Sequence, residues 1–383
     1  MTKVRSNIGA QVLIRFGFAK GYRTVAKKQL QKVLGLMSGT SADGADVALI
    51  ATDGENAIEF FGGLTLPYDR ELRARLLEAS QHDVPLLELA RVERDITLHH
   101  AEAVAELLKM LPHEAEGCDL IGFHGHTVRH VTSELICWQI SNPWLLAEKT
   151  GMRVVSDFRR HDIAVGGQGA PLVAMFHRAL FTSEVRPCVI LNLGGVANIT
   201  WLGEKEEIIA GDTGPGRGLL DQRIEEMSGH SHDKDGEIAK RGRVDQSIVE
   251  AALSTRFFSK PLPRSADRFD FDHVDVSGLS VEDGAATLCA VTVQAIIRAV
   301  RTMPKQPQVL WVTGGGVHHP VIMRMLGENF SKVRNVREMN LNPDTLEAEC
   351  FAWLAVRHTK GLPLTIPETT GCKKPVCGGT ITC

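Results

Sequence analysis

The stretch best suited to chemistry is the turn Gly-Asp-Thr-Gly-Pro-Gly at residues 211–216. Glycine permits backbone angles that other residues avoid and proline fixes φ, so these residues predict a tight turn, followed by a helix from Leu219. Such a turn can aim the Asp212 carboxylate and several backbone N–H groups at one point. Asp212 is therefore a candidate general base. The alternative is an ordinary strand-to-helix turn in which Asp212 caps the helix.

Three histidines, His124, His126 and His130, follow a short buried strand predicted at residues 120–123. A His-x-His pair at the end of a strand is compatible with zinc ligation, which makes a metal hydrolase one hypothesis. The alternative is a polar substrate loop whose imidazoles donate and accept hydrogen bonds. We favour the loop, because no second cluster of His or Asp supplies the remaining ligands.

A dense group of charged residues at 157–162 lies between an apolar strand at 154–156 and a glycine turn at 166–171. Runs of charge usually form solvated faces. Here the flanking strand and the glycine turn favour a binding site.

Glycine loops recur between apolar strands along the chain. Residues 33–50 read as a strand, a turn of Ser, Gly and Thr, and a second strand, and residues 189–200 repeat this pattern about 155 positions later. A third loop, Gly-Gly-Gly at 314–316, follows another apolar strand. Each loop alone is a weak signal, but together they predict a two-domain nucleotide clamp in which two hairpins hold phosphates and the third loop holds adenosine.

Composition limits the possible functions. The 383 residues are 43% hydrophobic and 23% charged with a net charge of −3, which is typical of a globular protein and gives no indication of nucleic acid or a membrane as a partner. The eight cysteines are scattered, as in a protein with reduced thiols, and no apolar run is long enough for a membrane span. We expect a cytoplasmic protein.

The first 32 residues contain eight Lys and Arg residues and no acidic residue. Their apolar stretch is too short for a secretory signal, and serine is too rare for a transit peptide. We expect a disordered basic extension outside the fold, or an upstream start codon that is not used.

The ordered motifs of this chain resemble those of the anhydro-N-acetylmuramic acid kinase family. The resemblance lies in residues 35–46, 124–130, 139–143, 157–171, 191–200, 211–216, 233–236, 314–316 and 347–355. It implies an α/β, two-domain ribonuclease H-like fold of the sugar kinase/actin/Hsp70 superfamily, with nucleotide and sugar bound in an interdomain cleft. We expect one domain at 33–185 and the other at 186–383, whose C-terminal segment packs back on the first.

The resemblance also implies an ATP- and Mg²⁺-dependent kinase of peptidoglycan recycling and amino-sugar catabolism. Such an enzyme opens the 1,6-anhydro ring of its sugar with water and phosphorylates O6, giving N-acetylmuramic acid 6-phosphate and ADP. The expected partners are a small-molecule anhydrosugar and, at most, a second copy of the chain in a homodimer.

Site residues follow from the same resemblance. It makes Asp212 the catalytic base and assigns the sugar to Thr127, Arg160 and Glu347. The residues expected to bind ATP are Gly39, Thr40, Ser41, Ala42, Asp43, Gly44, Ala45, Asp46, Gly194, Gly195, Asn198, Gly314, Gly315 and Gly316.

The chain departs from the family pattern at several positions. The family usually has glutamine at His126, arginine at His161, asparagine at Arg217 and lysine at Arg264. A cation at Arg217 could depress the pKa of Asp212 and weaken it as a base.

These departures leave two further readings besides the metal hydrolase. One is a levoglucosan-type anhydrosugar kinase, although Arg129-His130 and Arg159-Arg160 look more like the muramic acid enzymes. The other is a catalytically inactive nucleotide or sugar sensor.

Overall fold

The computed structural model describes residues 11–18, 30–266 and 268–382, which form two compact units. Unit 1 contains the described residues up to Ala164, together with Asp344–Leu364 and those from Val376 onward. Unit 2 contains Val165–Pro343 and Thr365–Pro375.

Both units are built from strands and helices that alternate along the chain. The strands are β1 Gln11–Phe18, β2 Gln31–Ser38, β3 Gly44–Thr52, β4 Ile58–Pro67, β5 Leu120–Val131, β6 Ile136–Ile140, β7 Arg153–Ser156, β8 Cys188–Leu193, β9 Val196–Leu202, β10 Ile208–Pro215, β11 Val309–Thr313, β12 Val333–Asn335 and β13 Thr380–Ile381. The α-helices are α1 Arg70–Gln81, α2 Leu86–Met110, α3 Pro143–Thr150, α4 Arg160–Ala164, α5 Ala174–Leu180, α6 Gly218–Ser228, α7 Gln246–Ala252, α8 Arg256–Ser259, α9 Val281–Arg301, α10 Pro320–Asn329, α11 Leu346–Thr359 and α12 Pro367–Thr370.

The same sheet topology occurs in both units. In unit 1 the strand order is β1-β4-β3-β2-β5-β7-β13, with β6 paired to β5. Strands β2, β3 and β4 form an antiparallel meander, whereas β5 runs parallel to β2 and β7 runs parallel to β5.

In unit 2 the order is β10-β9-β8-β11-β12, again an antiparallel meander followed by two parallel strands. Strand β8 is buried at every position, as expected for a central strand covered on both faces. Three antiparallel strands joined to two parallel ones define the ribonuclease H-like fold. The predicted fold class is therefore confirmed, and its duplication explains the repeated glycine hairpins.

Helix α9 forms the centre of the unit 2 core. Its Leu288, Val293 and Ile296 are buried with Val189 and Leu191 of β8. Among the helices of the described ranges, α9 alone is long and apolar enough to cross a membrane, and 83% of its apolar window is buried inside the protein. Burial of this kind is typical of a core helix.

Helix α11 packs directly on the sheet of unit 1, because two strands carry glycine beneath it. A Cβ at Gly35 in β2 would lie 1.8 Å from the Ala348 carbonyl oxygen, and one at Gly122 in β5 would lie 2.1 Å from that of Phe351. Only glycine permits this approach. It attaches Glu347, in the first turn of α11, to the strands that carry the first glycine loop.

The structure differs from the expectation that residues 1–32 stand outside the fold. Residues Gln11–Phe18 form β1, which pairs antiparallel with β4, and β2 begins at Gln31. A strand here pairs N–H and C=O groups that β4 would otherwise leave open at the edge of the sheet. Residues 1–10 and 19–29 lie outside the described residues.

The boundary between the units lies near residue 164 instead of residue 185. The segment between these positions contains α5, whose His177 Nδ1 is 2.9 Å from Thr200 Oγ1 in β9. This contact places α5 in unit 2. Residues 344–364 lie in unit 1, whereas Thr365–Pro375 belong to unit 2.

Candidate active site

The first glycine hairpin joins β2 to β3 in unit 1. Ala42 adopts a left-handed φ of 53°, and its N–H donates to the Gly39 carbonyl at 3.0 Å, which closes a tight turn. A Cβ at Gly44 would lie 2.5 Å from the Leu66 carbonyl oxygen, whereas a Cβ at Gly39 would meet no atom closer than Ser41 Oγ at 3.8 Å. Packing therefore requires the glycine at position 44 but does not require the one at position 39.

Asp46 follows this turn and carries an unusual carboxyl group. The residue keeps some exposed surface, but its carboxyl group is densely surrounded by protein, and Thr65 Oγ1 donates to it at 2.5 Å. Burial raises the pKa of Asp46 to about 8 against the hydrogen bond from Thr65, and the carboxylates of Glu347 and Asp344 raise it further. A carboxyl group protonated at neutral pH can donate to a phosphate oxygen, which an ionised group would repel.

Glu347 is thus electrostatically coupled to the hairpin although 301 positions separate it from Asp46. The structure brings together two groups that the sequence assigned to different ligands, Asp46 to ATP and Glu347 to the sugar. Both belong to unit 1.

His126 is buried in a chain of hydroxyl groups. Its Nδ1 is 2.9 Å from Ser38 Oγ, its Nε2 is 3.0 Å from Ser80 Oγ, and the Tyr68 hydroxyl donates to Ser38 at 2.9 Å. Both ring nitrogens have hydrogen-bonding neighbours, so this histidine links Ser38, at the end of β2 next to the first glycine turn, to Ser80 in α1. The same bridging role suits the glutamine that is usual in the family.

His124 is also buried, and its contacts assign its tautomer. Nδ1 donates to the Gly125 carbonyl at 2.9 Å, and Nε2 accepts from Arg159 Nε at 3.0 Å. Burial, together with the nearby Arg159 cation, holds the pKa of His124 well below its usual value. The neutral ring orients Arg159.

The metal hypothesis for this loop finds no support in these contacts. His130 Nδ1 is 3.1 Å from Cys137 Sγ, and the nitrogens of His124 and His126 contact other protein groups. Within the described ranges, no group of three or more His, Cys, Asp or Glu residues could hold a metal ion.

The two residues expected to line the sugar pocket differ in their surroundings. Thr127 Oγ1, on β5, accepts from Gln139 Nε2 at 3.1 Å. Arg160 begins α4 with a largely exposed side chain whose Nε donates to Asp157 Oδ1 at 2.8 Å. Arg160 is therefore held by a single carboxylate and presents an accessible cation.

Arg129 has a structural role. It donates to the carbonyls of Ala79, Ser80 and His82 at 2.8–3.3 Å and so terminates α1. Among the residues by which the chain resembles the muramic acid enzymes, Arg129 therefore stabilises the fold of unit 1.

The second glycine hairpin lies in unit 2 and turns between β8 and β9. Gly216 and Arg217 donate their N–H groups to the carbonyls of Gly195 and Gly194 at 2.9 and 2.8 Å. These hydrogen bonds join the segment directly after β10 to this hairpin. A Cβ at Gly216 would lie 2.2 Å from the Gly194 oxygen. Asn198 Oδ1 is buried and has no hydrogen-bond partner among the described residues, as expected of a group that awaits a ligand or water.

The tight turn predicted at residues 211–216 is wrong for Asp212, because β10 continues to Pro215 and Asp212 lies in it opposite Asn198, next to a bulge between Asp212 and Gly214. Asp212 is 6% exposed, and its Oδ2 accepts from the Ala266 N–H at 2.8 Å. The Arg264 guanidinium donates to the Asp212 carbonyl oxygen at 3.0 Å. The carboxylate is therefore fixed in place, as a general base requires.

The third glycine loop follows β11. Gly314 has a φ of 79°, and a Cβ there would lie 2.4 Å from Asn192 Oδ1 in β8. A Cβ at Gly316 would lie 2.4 Å from Leu193 Cβ. The structure thus brings the second and third loops together at one end of the unit 2 sheet.

Arg217 connects these two loops. Its Nη2 is 3.7 Å from Asp221 Oδ2, and the same atom would lie 2.7 Å from a Cβ at Gly315. The cation thus lies over the third glycine loop.

A sequence profile described as anhydro-N-acetylmuramic acid kinase matches residues 31–383. The chain belongs to the anhydro-N-acetylmuramic acid kinase family. It is 41% identical to the "Anhydro-N-acetylmuramic acid kinase" of Zymomonas mobilis over 91% of this chain and 98% of that protein. It is 45% identical to the protein of the same name from Paramagnetospirillum magneticum over 90% of this chain and 98% of that protein.

Among solved structures, the chain is similar to the activator of the 2-hydroxyisocaproyl-CoA dehydratase from Clostridium difficile. The TM-score is 0.43 at 11% identity, and the likeness covers 86% of this chain and 96% of that one.

The residues of this anhydro-N-acetylmuramic acid kinase family member fit a nucleotide. Gly39 exposes backbone that packing does not explain, and the buried Asn198 Oδ1, which has no partner in the described part of the chain, can accept a hydrogen bond from a hydroxyl group or a water. Magnesium prefers phosphate oxygens, waters and one or two carboxylates. The first glycine hairpin offers such a carboxylate at the exposed Asp43.

Sequence reasoning about this family member missed Arg264, Ala266 and the role of His124. Arg264 and Ala266 lie 52 and 54 positions after Asp212, and a segment without regular structure carries them, so no periodicity marks them. The one available signal was that position 264 carries a basic residue, arginine, where the family usually has the basic residue lysine.

Proposed function

We propose that this protein is an ATP-dependent kinase that hydrolytically opens 1,6-anhydro-N-acetylmuramic acid and phosphorylates its O6. The products are N-acetylmuramic acid 6-phosphate and ADP, and the process served is peptidoglycan recycling and amino-sugar catabolism. The observation that carries the proposal is the Asp212 carboxylate, held by the Ala266 N–H next to a bulge of β10 in a member of this family.

Asp212 acts as the general base. Water is a poor nucleophile at neutral pH, and a carboxylate that takes its proton accelerates attack by roughly 10²–10⁴-fold. The water oxygen bonds to C1 of the sugar while the C1–O6 bond breaks. O6 takes the γ-phosphoryl group of ATP, so the leaving oxygen needs no separate acid.

Backbone groups of the glycine loops bind the nucleotide. Residues 39–46 in unit 1 and Gly194, Gly195 and Asn198 in unit 2 donate to phosphate oxygens, and residues 314–316 hold adenosine. Bound Mg²⁺ would neutralise charge on the transferring phosphoryl group, and Asp43 is the residue suited to hold it.

Thr127, Arg160 and Glu347 bind the sugar. The accessible Arg160 cation suits the lactyl carboxylate, which levoglucosan lacks. This difference favours the muramic acid substrate over the levoglucosan alternative. We further propose that the protein works in the cytoplasm, where ATP is available, as a monomer or homodimer.

A coupled assay of ADP release with anhydro-N-acetylmuramic acid and levoglucosan side by side tests the substrate. We expect at least a tenfold higher kcat/KM for the muramic acid sugar. The opposite preference would favour a levoglucosan-type kinase. No turnover with either sugar, combined with nucleotide binding by calorimetry, would identify a sensor.

Labelled water tests the mechanism. In H₂¹⁸O, the first-formed sugar phosphate should carry one label on the C1 oxygen and none on phosphorus. The product must be sampled early, because the free anomeric hydroxyl exchanges slowly with solvent. Label on phosphate would indicate an ATPase, and an intact anhydro ring would rule out hydrolytic opening.

A further inference from the structure

The segment of residues 262–266, here called the Arg264 segment, lies against the strand that carries Asp212. The Asp212 N–H donates to the Arg264 carbonyl at 2.8 Å. A Cβ at Gly211 would lie 2.5 Å from Leu262 Cδ2 and 3.0 Å from the backbone nitrogen and oxygen of Arg264. Glycine at position 211 is therefore needed to admit the segment.

The Arg264 side chain returns to the same strand and binds backbone carbonyls. Its Nε donates to Asp212 O at 3.0 Å and its Nη2 to Thr213 O at 3.3 Å. Its Nη1 donates to Phe257 O at 3.1 Å and Lys260 O at 2.6 Å. The guanidinium also lies 4.5 Å from the centre of the Phe257 ring, and Arg264 is 6% exposed.

Two successive carbonyls of a regular strand point in opposite directions. One guanidinium binds those of both Asp212 and Thr213 because the strand is bulged between Asp212 and Gly214. Bulges next to active sites redirect side chains. Arg264 therefore stabilises the local backbone shape that determines where the Asp212 side chain points.

The segment also contacts the carboxylate itself. The Ala266 N–H donates to Asp212 Oδ2 at 2.8 Å. Two residues of the segment thus bind Asp212 at different atoms: Arg264 binds its backbone carbonyl oxygen and Ala266 binds its carboxylate. Ser265, between them, donates to Gln168 Oε1 at 3.2 Å and ties the segment to the glycine turn at 166–171.

We propose that Arg264 is a positioning residue for the Asp212 carboxylate, acting through the bulged backbone of β10 and the Ala266 N–H. The proposal rests on the proposed role of Asp212 as general base. Arg264 touches neither substrate nor nucleotide in this account. Its contribution is geometric, because a misplacement of about 1 Å can lower a rate roughly 10²-fold.

Arg264→Met is the discriminating change. Methionine fills much of the space of the arginine but donates no hydrogen bond, so Asp212 O, Thr213 O and Phe257 O lose their common donor. We expect Arg264→Met to lower kcat at least tenfold, with KM for the sugar and Kd for ADP within threefold of wild type, whereas Arg264→Lys, which introduces the residue usual in the family, should keep kcat within threefold of wild type. Rates are expressed per ADP-binding site, measured by calorimetry, so that loss of folded protein does not count as loss of turnover.

Arg357 of unit 1 provides a matched control. It is 8% exposed, donates to the carbonyls of Pro363 and Gly54 at 2.7 Å, and lies 4.6 Å from the centre of the Trp353 ring. Arg357→Met therefore removes the same kind of buried fork. We expect it to lower the melting temperature without lowering kcat per site.

The outcomes separate the alternatives. An unchanged kcat per site in Arg264→Met, or an equal loss in both methionine variants, would overturn the proposal. If Arg264→Met does not fold, Ala266→Pro decides, because proline removes the N–H that holds Oδ2. A tenfold loss of kcat with ADP affinity retained supports the proposal, and unchanged turnover refutes it. A wild-type protein without turnover would instead count against the proposed function.

Discussion

The two glycines of the first hairpin give opposite predictions for the same substitution. In Gly39→Ala the added methyl group meets no protein atom within 3.8 Å, and the φ of Gly39 is not left-handed. In Gly44→Ala the methyl group would lie 2.5 Å from the Leu66 carbonyl oxygen and 2.9 Å from Thr65 Cγ2. Stability should therefore change only at position 44, whereas nucleotide binding should change at position 39.

The magnitudes follow from these distances. To restore van der Waals contact at position 44, β3 and β4 must separate by about 1 Å, and overpacking of this kind typically costs about 1–3 kcal/mol. For a domain of this size the melting temperature should fall by roughly 3–10 °C. At position 39 we expect less than about 2 °C, since an exposed turn absorbs a methyl group without strain. If phosphate approaches that backbone, the methyl group should weaken ATP binding about tenfold, or about 1.4 kcal/mol.

The assay pairs thermal unfolding with calorimetry of a non-hydrolysable ATP analogue. Gly278→Ala is the control, because a Cβ there meets nothing within 4 Å, its φ is not left-handed, and it lies outside the helices and strands and more than 30 positions from each glycine loop. Wild-type affinity in Gly39→Ala would refute contact between this turn and the nucleotide. Wild-type stability in Gly44→Ala would refute the packing argument.

Substitutions at four further positions test other parts of the site. Asp212→Asn should lower kcat at least tenfold with ADP affinity unchanged in calorimetry, and a rate above about a tenth of wild type would exclude the general-base role. Glu347→Ala should weaken sugar binding more than ATP binding in titrations of each ligand; equal losses would indicate misfolding. His126→Ala should cost about 1–3 kcal/mol in chemical denaturation because buried hydroxyls lose a partner, whereas His126→Gln should remain near wild type. The raised pKa of Asp46, about 8 against 3.8, means that only the unfolded chain ionises between these values, so this group lowers stability as pH rises through that range. Asp46→Asn should then gain stability over wild type with rising pH, and a constant difference from pH 4 to 8 would contradict the shift.

Much of the fold could be predicted from the sequence because its signals are local. The apolar strands and the glycine turns at 39–44, 194–195 and 314–316 identified the hairpins, and their repetition indicated a duplicated fold. The position of the unit boundary could not be predicted in the same way. It depends on a long-range bond such as His177 to Thr200, which leaves no local pattern.

In the site, too, local sequence signals identify some residues, whereas residues that act through long-range contacts cannot be predicted. Asp212 is marked by the glycines around it, but Arg264 and Ala266 reach it from an irregular segment whose path depends on tertiary packing. The structural role of Arg129 likewise depends on tertiary packing, because the carbonyls that it binds at the end of α1 lie 47 or more positions earlier in the chain. The basic charge of the first 32 residues indicated a disordered extension, whereas the Val, Leu, Ile and Phe residues of Gln11–Phe18 favour the strand that the structure shows.

The position of α11 on Gly35 and Gly122 has a consequence for biosynthesis. The strands that this helix covers are made early, but Leu346–Thr359 are translated only after the whole of Val165–Pro343. Until then, the growing chain presents an uncovered apolar face on β2 and β5, which is the kind of surface that chaperones bind. Unit 2, most of whose residues are contiguous, can complete its core first. We therefore expect the second half of the molecule to fold before the first.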